Sequence, residues 1–184
     1  AMGPYAVADL AGLDIGHATR ARLRPLKDPQ ERWADWPDAM VERGWLGRKS
    51  GTGYYTYAEG KPSPNPEIEP LIAAERAARG IAPRAVSDDE IVARYMAAMV
   101  NEGARIVDEG IARRPLDVDM VKLFGYGFPR FRGGPMLWAD TVGLATVLAT
   151  INAAAADDPW FWRPAPLLER LAAAGRTFAT LNEA

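Results

Sequence analysis

An eleven-residue pattern occurs twice in this chain of 184 residues. The first copy, GPYAVADLAGL, runs from Gly3 to Leu13, and the second copy, GPMLWADTVGL, runs from Gly134 to Leu144. Both read G-P-x-x-x-A-D-x-x-G-L, at an offset of 131 residues. Because Gly-Pro, Ala-Asp and Gly-Leu recur in register, the pattern indicates an internal duplication, and this constrains the fold more than any single segment does.

Each copy of the pattern predicts a short helix, a corner and a second helix. Proline at the first helical position loses no hydrogen bond, and its φ is already helical. Gly12 and Gly143 then end the short helix, because glycine adopts left-handed dihedrals at little cost. Asp9 and Asp140 have two interpretations. They cap the corner and pair with other charges, or they contact a substrate or partner.

Composition excludes several classes of function. The net charge of −2 argues against a nucleic-acid partner or an anionic membrane surface. The absence of cysteine excludes disulfides, thiolate nucleophiles and cysteine-based metal sites, and it fits a reducing compartment. We therefore expect a cytoplasmic location. The longest apolar stretch, residues 144–156, is too short to span a bilayer.

Helical periodicity covers most of the chain. A capping box at Ser87–Glu90 precedes the longest pattern, in which apolar residues from Val92 to Val107 recur at three- and four-residue steps. No alternation of strands and helices is present, so the predicted fold class is all-α. The other predicted helices lie at 4–11, 13–24, within 29–44, 66–79, 117–124, 144–156 and 166–174.

The duplication and a proline-rich stretch at 62–66 divide the chain into two helical units. We predict a first unit at 1–61, a linker with a helix at 62–86, and a second unit at 87–184. A long helix precedes the second copy of the repeat, and nothing precedes the first copy. We therefore expect the first unit to lack its N-terminal helix and the chain to be a fragment of a longer protein.

Three further segments carry candidate chemistry. The only histidine, His17, has no evident partner for base catalysis, so we expect it at the surface or half-buried. The glycine-rich stretch 44–53 does not fit a phosphate-binding loop and predicts a tight turn before an extended run, 54–57. In the loop 125–135 the aromatic residues wedge into the core, or its arginine pair binds a phosphate, a carboxylate or another subunit.

Four stretches resemble the 3-hydroxyacyl-CoA dehydrogenase family, namely residues 2–14, 47–55, 101–112 and 125–135. The doubled unit is similar to multifunctional β-oxidation enzymes that combine enoyl-CoA hydratase and 3-hydroxyacyl-CoA dehydrogenase. The resemblance implies two tandem copies of the family's C-terminal domain, which is similar to that of 6-phosphogluconate dehydrogenase, with the first copy truncated at its N-terminus.

The resemblance also implies what the chain lacks. In the family a Rossmann domain binds NAD and carries the catalytic His-Glu pair, and those positions lie upstream of this sequence. We therefore expect no catalytic, cofactor-binding or metal-binding residue here, and no activity from the isolated chain. The helical units would pack as a dimer-like pair and close one wall of an acyl-CoA cleft, with Met2, Gly3 and Pro4 nearest to it.

The implied partners are the Rossmann domain and, in the parent enzyme, an acyl-CoA substrate. A thiolase subunit and a second copy of the fragment are further candidates. The alternative is a stand-alone helical dimerisation or interaction module without an enzymatic role. An uncovered apolar groove near residues 4–24 would favour the fragment. A third reading, a hydrolase or lyase that uses Asp9 and Asp140, requires those carboxylates within roughly 10 Å of each other.

Overall fold

The computed structural model describes residues 2–58 and 61–182. The chain divides into two compact units, Ala1–Arg84 and Ala85–Ala184. The outer ends of the predicted units, residues 1 and 184, lie outside the described residues. The predicted boundaries at 1–61, 62–86 and 87–184 stay a prediction.

The first unit consists of helices and a short hairpin. Helices α1 (Pro4–Ala11) and α2 (Leu13–Leu23) meet at Gly12, whose φ is 105°, which confirms the predicted helix, corner and helix. After them come α3 (Trp36–Glu42), β1 (Tyr55–Thr56), β2 (Ser63–Pro64) and α4 (Ile68–Ala78). Helix α3 is shorter than the predicted segment 29–44, because Pro37 lies in its first turn and favours a helix start there.

The hairpin orders the stretch that follows the glycine-rich turn. Strands β1 and β2 are antiparallel, with Tyr55 opposite Pro64. The predicted extended run 54–57 is therefore confirmed at Tyr55 and Thr56, although strand residues were not expected in the proline-rich stretch. Buried Asn65 fixes the return strand: its amide nitrogen donates to the carbonyl of Gly53 (2.9 Å), and its Oδ1 accepts from the amide of Glu67 (3.1 Å).

The second unit contains α5 (Asp88–Asp108), α6 (Pro115–Gly125), α7 (Pro135–Val142), α8 (Leu144–Ala154) and α9 (Pro166–Ala173). Ser87 accepts from the amide of Glu90 (3.2 Å), so the predicted N-cap of the long helix is confirmed. One face of α5 supplies Ala97, Val100 and Ala104 to the core, which α7, α8 and α9 complete. The all-α prediction is confirmed, since the hairpin is the one sheet among the described residues.

The cores of the two units differ in size. Among the described residues, eighteen buried hydrophobic residues lie in the second unit, and two, Leu13 and Met40, lie in the first. Burial of apolar surface is the main stabilising contribution in folding. The first unit therefore gains much less stabilisation from the burial of apolar surface than the second.

The aromatic loop between α6 and α7 is mostly exposed. Phe128 is buried, whereas Tyr126 and Phe131 are 76% and 85% exposed. The expectation that the aromatic residues of this loop wedge into the core is correct only for Phe128. Within 2–58 and 61–182 no single helix meets the length and hydropathy needed to cross a bilayer; α7 and α8 meet them only as a pair bent by 101°.

Candidate functional site

The aspartate of the first repeat holds the corner against the hairpin of its own unit. Asp9 is 1% exposed. Its Oδ1 accepts from the amide of Tyr54 (2.9 Å), and its Oδ2 accepts from the amide of Tyr55 and the hydroxyl of Tyr57 (both 2.9 Å). Three donors compensate for the loss of water around this carboxylate.

The aspartate of the second repeat does the same within its unit. Asp140 accepts from the amides of Phe178 (2.8 Å) and Ala179 (2.9 Å), which begin a short 3₁₀ turn. These contacts support the corner-capping interpretation of both aspartates. The expected charge pairing is not found within 2–58 and 61–182, where the donors to both carboxylates are backbone amides and one phenol. With their oxygens held in this way, Asp9 and Asp140 do not present free carboxylates for acid-base chemistry.

The glycine-rich stretch packs directly against Asp9, and its glycines leave the space that this residue fills. A Cβ at Gly53 would overlap the Asp9 carboxylate, and one at Gly47, whose φ is 92°, would overlap the Asp9 backbone. The amide of Gly47 also donates to the carbonyl of Thr52 (2.8 Å), which closes the tight turn. These glycines therefore permit close packing on a buried carboxylate, as expected of a turn and not of a phosphate loop.

Asp119 is a buried acid that the sequence analysis missed. It is 4% exposed, and its two oxygens accept from the amides of Met136 (2.7 Å) and Leu137 (3.0 Å) in the first turn of α7. Burial raises the pKa of Asp119 to about 6, although the two amides oppose this shift. A signal was present: the helix begins Gly134-Pro135, with no polar N-cap, so its first amides need an acceptor from elsewhere.

A cluster of charged groups joins α2, and the residue that follows it, to α3. Asp38 accepts from Nε of Arg20 (2.8 Å) and Nη2 of Arg24 (3.1 Å), and Nδ1 of His17 lies 3.2 Å from its carboxylate. Burial alone raises the pKa of Asp38, but the hydrogen bond from Arg20 and the neighbouring His17 bring it below its usual value. His17 is half-buried, as predicted. Because the carboxylate of Asp38 accepts hydrogen bonds from two arginines, the cluster links α2 to α3 and has a structural role.

The three predicted substrate-adjacent residues, Met2, Gly3 and Pro4, are all exposed. Gly3 is the N-cap residue of α1 and provides no side-chain cap, and Pro4 is its first helical residue. No group of three potential metal-ligating side chains occurs in the part of the chain that the structure describes.

The family model for the 3-hydroxyacyl-CoA dehydrogenase C-terminal domain matches residues 1–57 and 91–180. The peroxisomal bifunctional enzymes of Danio rerio and Homo sapiens are 40% and 38% identical; each alignment covers 95% of this chain, and 27% and 26% of those proteins. A peroxisomal fatty acid β-oxidation multifunctional protein of Oryza sativa is 32% identical over 91% of this chain and 24% of its own length.

A solved structure supports the fold independently. The dehydrogenase part of multifunctional enzyme 1 from C. elegans matches with a TM-score of 0.66 and 24% identity, over 92% of this chain and 38% of that one. The chain thus spans about a quarter of the length of the curated relatives it matches. Those relatives are named peroxisomal, which makes the predicted cytoplasmic location wrong.

Proposed function

The chain belongs to the family of 3-hydroxyacyl-CoA dehydrogenase C-terminal domains, and we propose that it forms the helical end of a peroxisomal fatty-acid β-oxidation enzyme. The whole protein would oxidise 3-hydroxyacyl-CoA to 3-ketoacyl-CoA with NAD, and would also carry enoyl-CoA hydratase activity. The support is that the family match falls on both units and that the relatives are named bifunctional or multifunctional enzymes.

The role of this part is to be a scaffold, and one comparison carries that proposal. Tyr5 and Met136 occupy the same position of the repeat. Met136 is 1% exposed beneath α5, at whose Gly103 an added Cβ would lie 2.6 Å from its sulfur, whereas Tyr5 is 52% exposed. Within the first unit Tyr5 stacks on Tyr54, with ring centroids 4.4 Å apart, and about half of the Tyr5 surface stays open.

The uncovered surface on α1 and α2 favours a fragment over a stand-alone module. On α1 Val7 and Leu10 are 47% and 51% exposed, and on α2 Ile15 is 59% exposed, within the segment where an apolar groove was expected. Contiguous exposed apolar surface marks a site of contact with another protein segment, a membrane or a ligand. We propose that a helix of the whole protein covers this surface, so that the first unit becomes as well packed as the second.

The described residues do not fit NAD. A dinucleotide site requires a parallel strand–helix–strand unit with a glycine-rich first turn. The strands in the described ranges are two residues long, antiparallel and joined as a hairpin. We therefore assign NAD binding, the base and hydride transfer to another domain, the Rossmann domain implied by the family, and derive no chemical step through the cofactor here.

Met2, Gly3 and Pro4 are proposed to lie at the edge of the acyl-CoA cleft of the whole protein. Their exposure at the start of α1 supports this placement, because the start of the helix is open to a ligand. Association with a thiolase subunit and self-association of the chain stay predictions, for which size-exclusion chromatography is the first measurement.

The proposal is tested by reconstitution. The chain is made separately from the NAD-binding domain of the same protein, the latter extended to include the helix that precedes the first unit, and NADH formation from 3-hydroxybutyryl-CoA is followed at 340 nm. We expect no turnover from the chain alone, and faster turnover from the mixture than from the NAD-binding domain alone. Saturable turnover by the chain alone would refute the proposed division of labour, and a mixture without complex or gain would refute the scaffold.

A matched pair of variants locates the interface. Tyr5→Asp puts a charge into the uncovered surface and should abolish the gain on mixing. Tyr126→Asp makes the same change at another exposed tyrosine, in the second unit, and should leave the gain intact. Equal losses in both variants would count against α1 as the covered surface.

A further inference from the structure

A cavity of about 650 Å³ opens in the second unit between α5, α6 and the segment 160–163. Cavities of roughly 300 to 1,000 Å³ are the size that holds small organic ligands. Apolar side chains make most of its wall: Tyr95, Met99 and Ile106 from α5, Val118 from α6, and Trp160, Phe161 and Trp162 from the segment.

The wall formed by the segment is fixed to α5. The amide nitrogen of Asn101 donates to the carbonyl of Arg163 (2.9 Å), and its Oδ1 accepts from the amide of Ala165 (2.7 Å). Nη2 of Arg105 donates to the same carbonyl of Arg163 (2.9 Å). Because Asn101 is 4% exposed and uses both ends of its amide, the cavity is preformed.

The charges at the cavity are predominantly positive. Arg105, Lys122 and Arg163 line it together with one carboxylate, Glu102, which pairs with Arg105 at 3.1 Å. In the described part of the chain neither Lys122 nor Arg163 forms an ion pair. Each lies instead near an aromatic ring, Lys122 at 5.0 Å from the centroid of Tyr126 and Arg163 at 4.9 Å from that of Trp160.

We propose that this cavity binds a single-chain anionic amphiphile, with its apolar chain against α5 and the tryptophans and its carboxylate at Lys122. The apolar wall matches the chain, and two cations without a carboxylate partner match the head group. A neutral or cationic amphiphile of the same length gains only the apolar contact. The inference does not rest on the proposed function, because it uses no residue assigned to the acyl-CoA cleft.

Dodecanoate is the probe, titrated into the full 184-residue chain by calorimetry below its critical micelle concentration. We expect one site, with a change in tryptophan fluorescence because Trp160 and Trp162 line the cavity. Dodecanol and dodecyltrimethylammonium should bind at least about tenfold more weakly, since neither pairs with a cation. Equal binding of all three probes, or no binding of dodecanoate, would overturn the proposal.

Two variants place the site. Lys122→Glu should weaken dodecanoate binding by about tenfold or more, whereas the same reversal at exposed Lys61, in the first unit, should change it by less than about twofold. Ala98→Phe fills the cavity from α5 and should abolish binding. Circular dichroism checks that each variant folds; if Ala98→Phe does not, Lys122→Glu decides alone. Wild-type affinity in Lys122→Glu would contradict the site.

Discussion

The amide of Phe178 donates a 2.8 Å hydrogen bond to the carboxylate of Asp140, and the amide of Tyr54 donates one of 2.9 Å to Asp9. The two aspartates occupy the same position of the repeat. Each carboxylate accepts a hydrogen bond from a backbone segment that lies about forty residues further along its own unit. The duplication has preserved a hydrogen-bonding device as well as a helix corner.

Replacing these carboxylates by amides should destabilise the unit that contains them. Asp9→Asn puts an amide group, which donates, against donors at a buried site, so we expect a loss of about 3 kcal/mol in the free energy of unfolding. Asp140→Asn, at a half-buried site with two donors, should lose about 1.5 kcal/mol. Urea unfolding measures both, with exposed Asp89→Asn as the control. Equal, small effects at all three positions would contradict the anchoring role.

Position 53 requires glycine because it lies too close to the Asp9 carboxylate to leave room for a Cβ atom. Gly53→Ala forces a Cβ into the Asp9 carboxylate and should destabilise the first unit by about 2 kcal/mol or more. Gly125→Ala is the matched control, since a Cβ there meets no atom within 4 Å and the residue ends a helix. The control should be neutral or stabilise by about 0.5 kcal/mol. Thermal unfolding of both variants compares them directly.

The buried acid at the start of α7 makes stability depend on pH. Because the pKa of Asp119 is raised to about 6 in the folded chain, from its ordinary value of 3.8, the folded state holds this proton more tightly than the unfolded state. Its contribution is greatest below the unfolded pKa and falls as the pH rises through about 6, by at most about 3 kcal/mol.

Two measurements check this dependence. Carboxyl carbon NMR should give a titration midpoint for Asp119 near pH 6. Asp119→Asn cannot titrate, so its free energy of unfolding should fall less steeply than that of the wild type between about pH 4 and 6. A midpoint below pH 4, or parallel pH profiles for the two proteins, would show that the amides of Met136 and Leu137 outweigh the burial.

The sequence predicted the elements whose signals are local. Gly12 and Pro4 bound α1, and Ser87 caps the start of α5, because caps and breakers act within a few residues. The partners of Asp9 could not be predicted, since they lie 45 to 48 residues away and depend on the hairpin. Strand β2 was missed because proline opposes strand structure, and it is tolerated here in a two-stranded ribbon that consists only of edges.

As with the fold, the features of the candidate site that have a local sequence signal could be predicted, and those that depend on distant contacts could not. The sequence identified the repeat and the family, whereas the cavity of the second unit depends on Asn101 meeting Arg163 and Ala165, more than sixty positions later. Asn101 stood inside a recognised motif, but spacing alone carried no information about what its side chain holds. Hydrogen bonds of this kind, between residues far apart in sequence, can be identified only in the folded structure.

Truncation at equivalent positions of the repeat should separate the two units most clearly. Met136 is 1% exposed in the core, so Met136→Ala should destabilise the second unit by about 3 kcal/mol. Tyr5 is 52% exposed and loses mainly its stacking on Tyr54, whose ring centroid is 4.4 Å away, so Tyr5→Ala should cost about 1 kcal/mol in the isolated chain. Chemical unfolding measures both changes. If the NAD-binding domain covers α1, adding it should increase the free energy lost in Tyr5→Ala and leave the loss in Met136→Ala unchanged. Equal losses for the two variants in the isolated chain would mean that Tyr5 is already packed there.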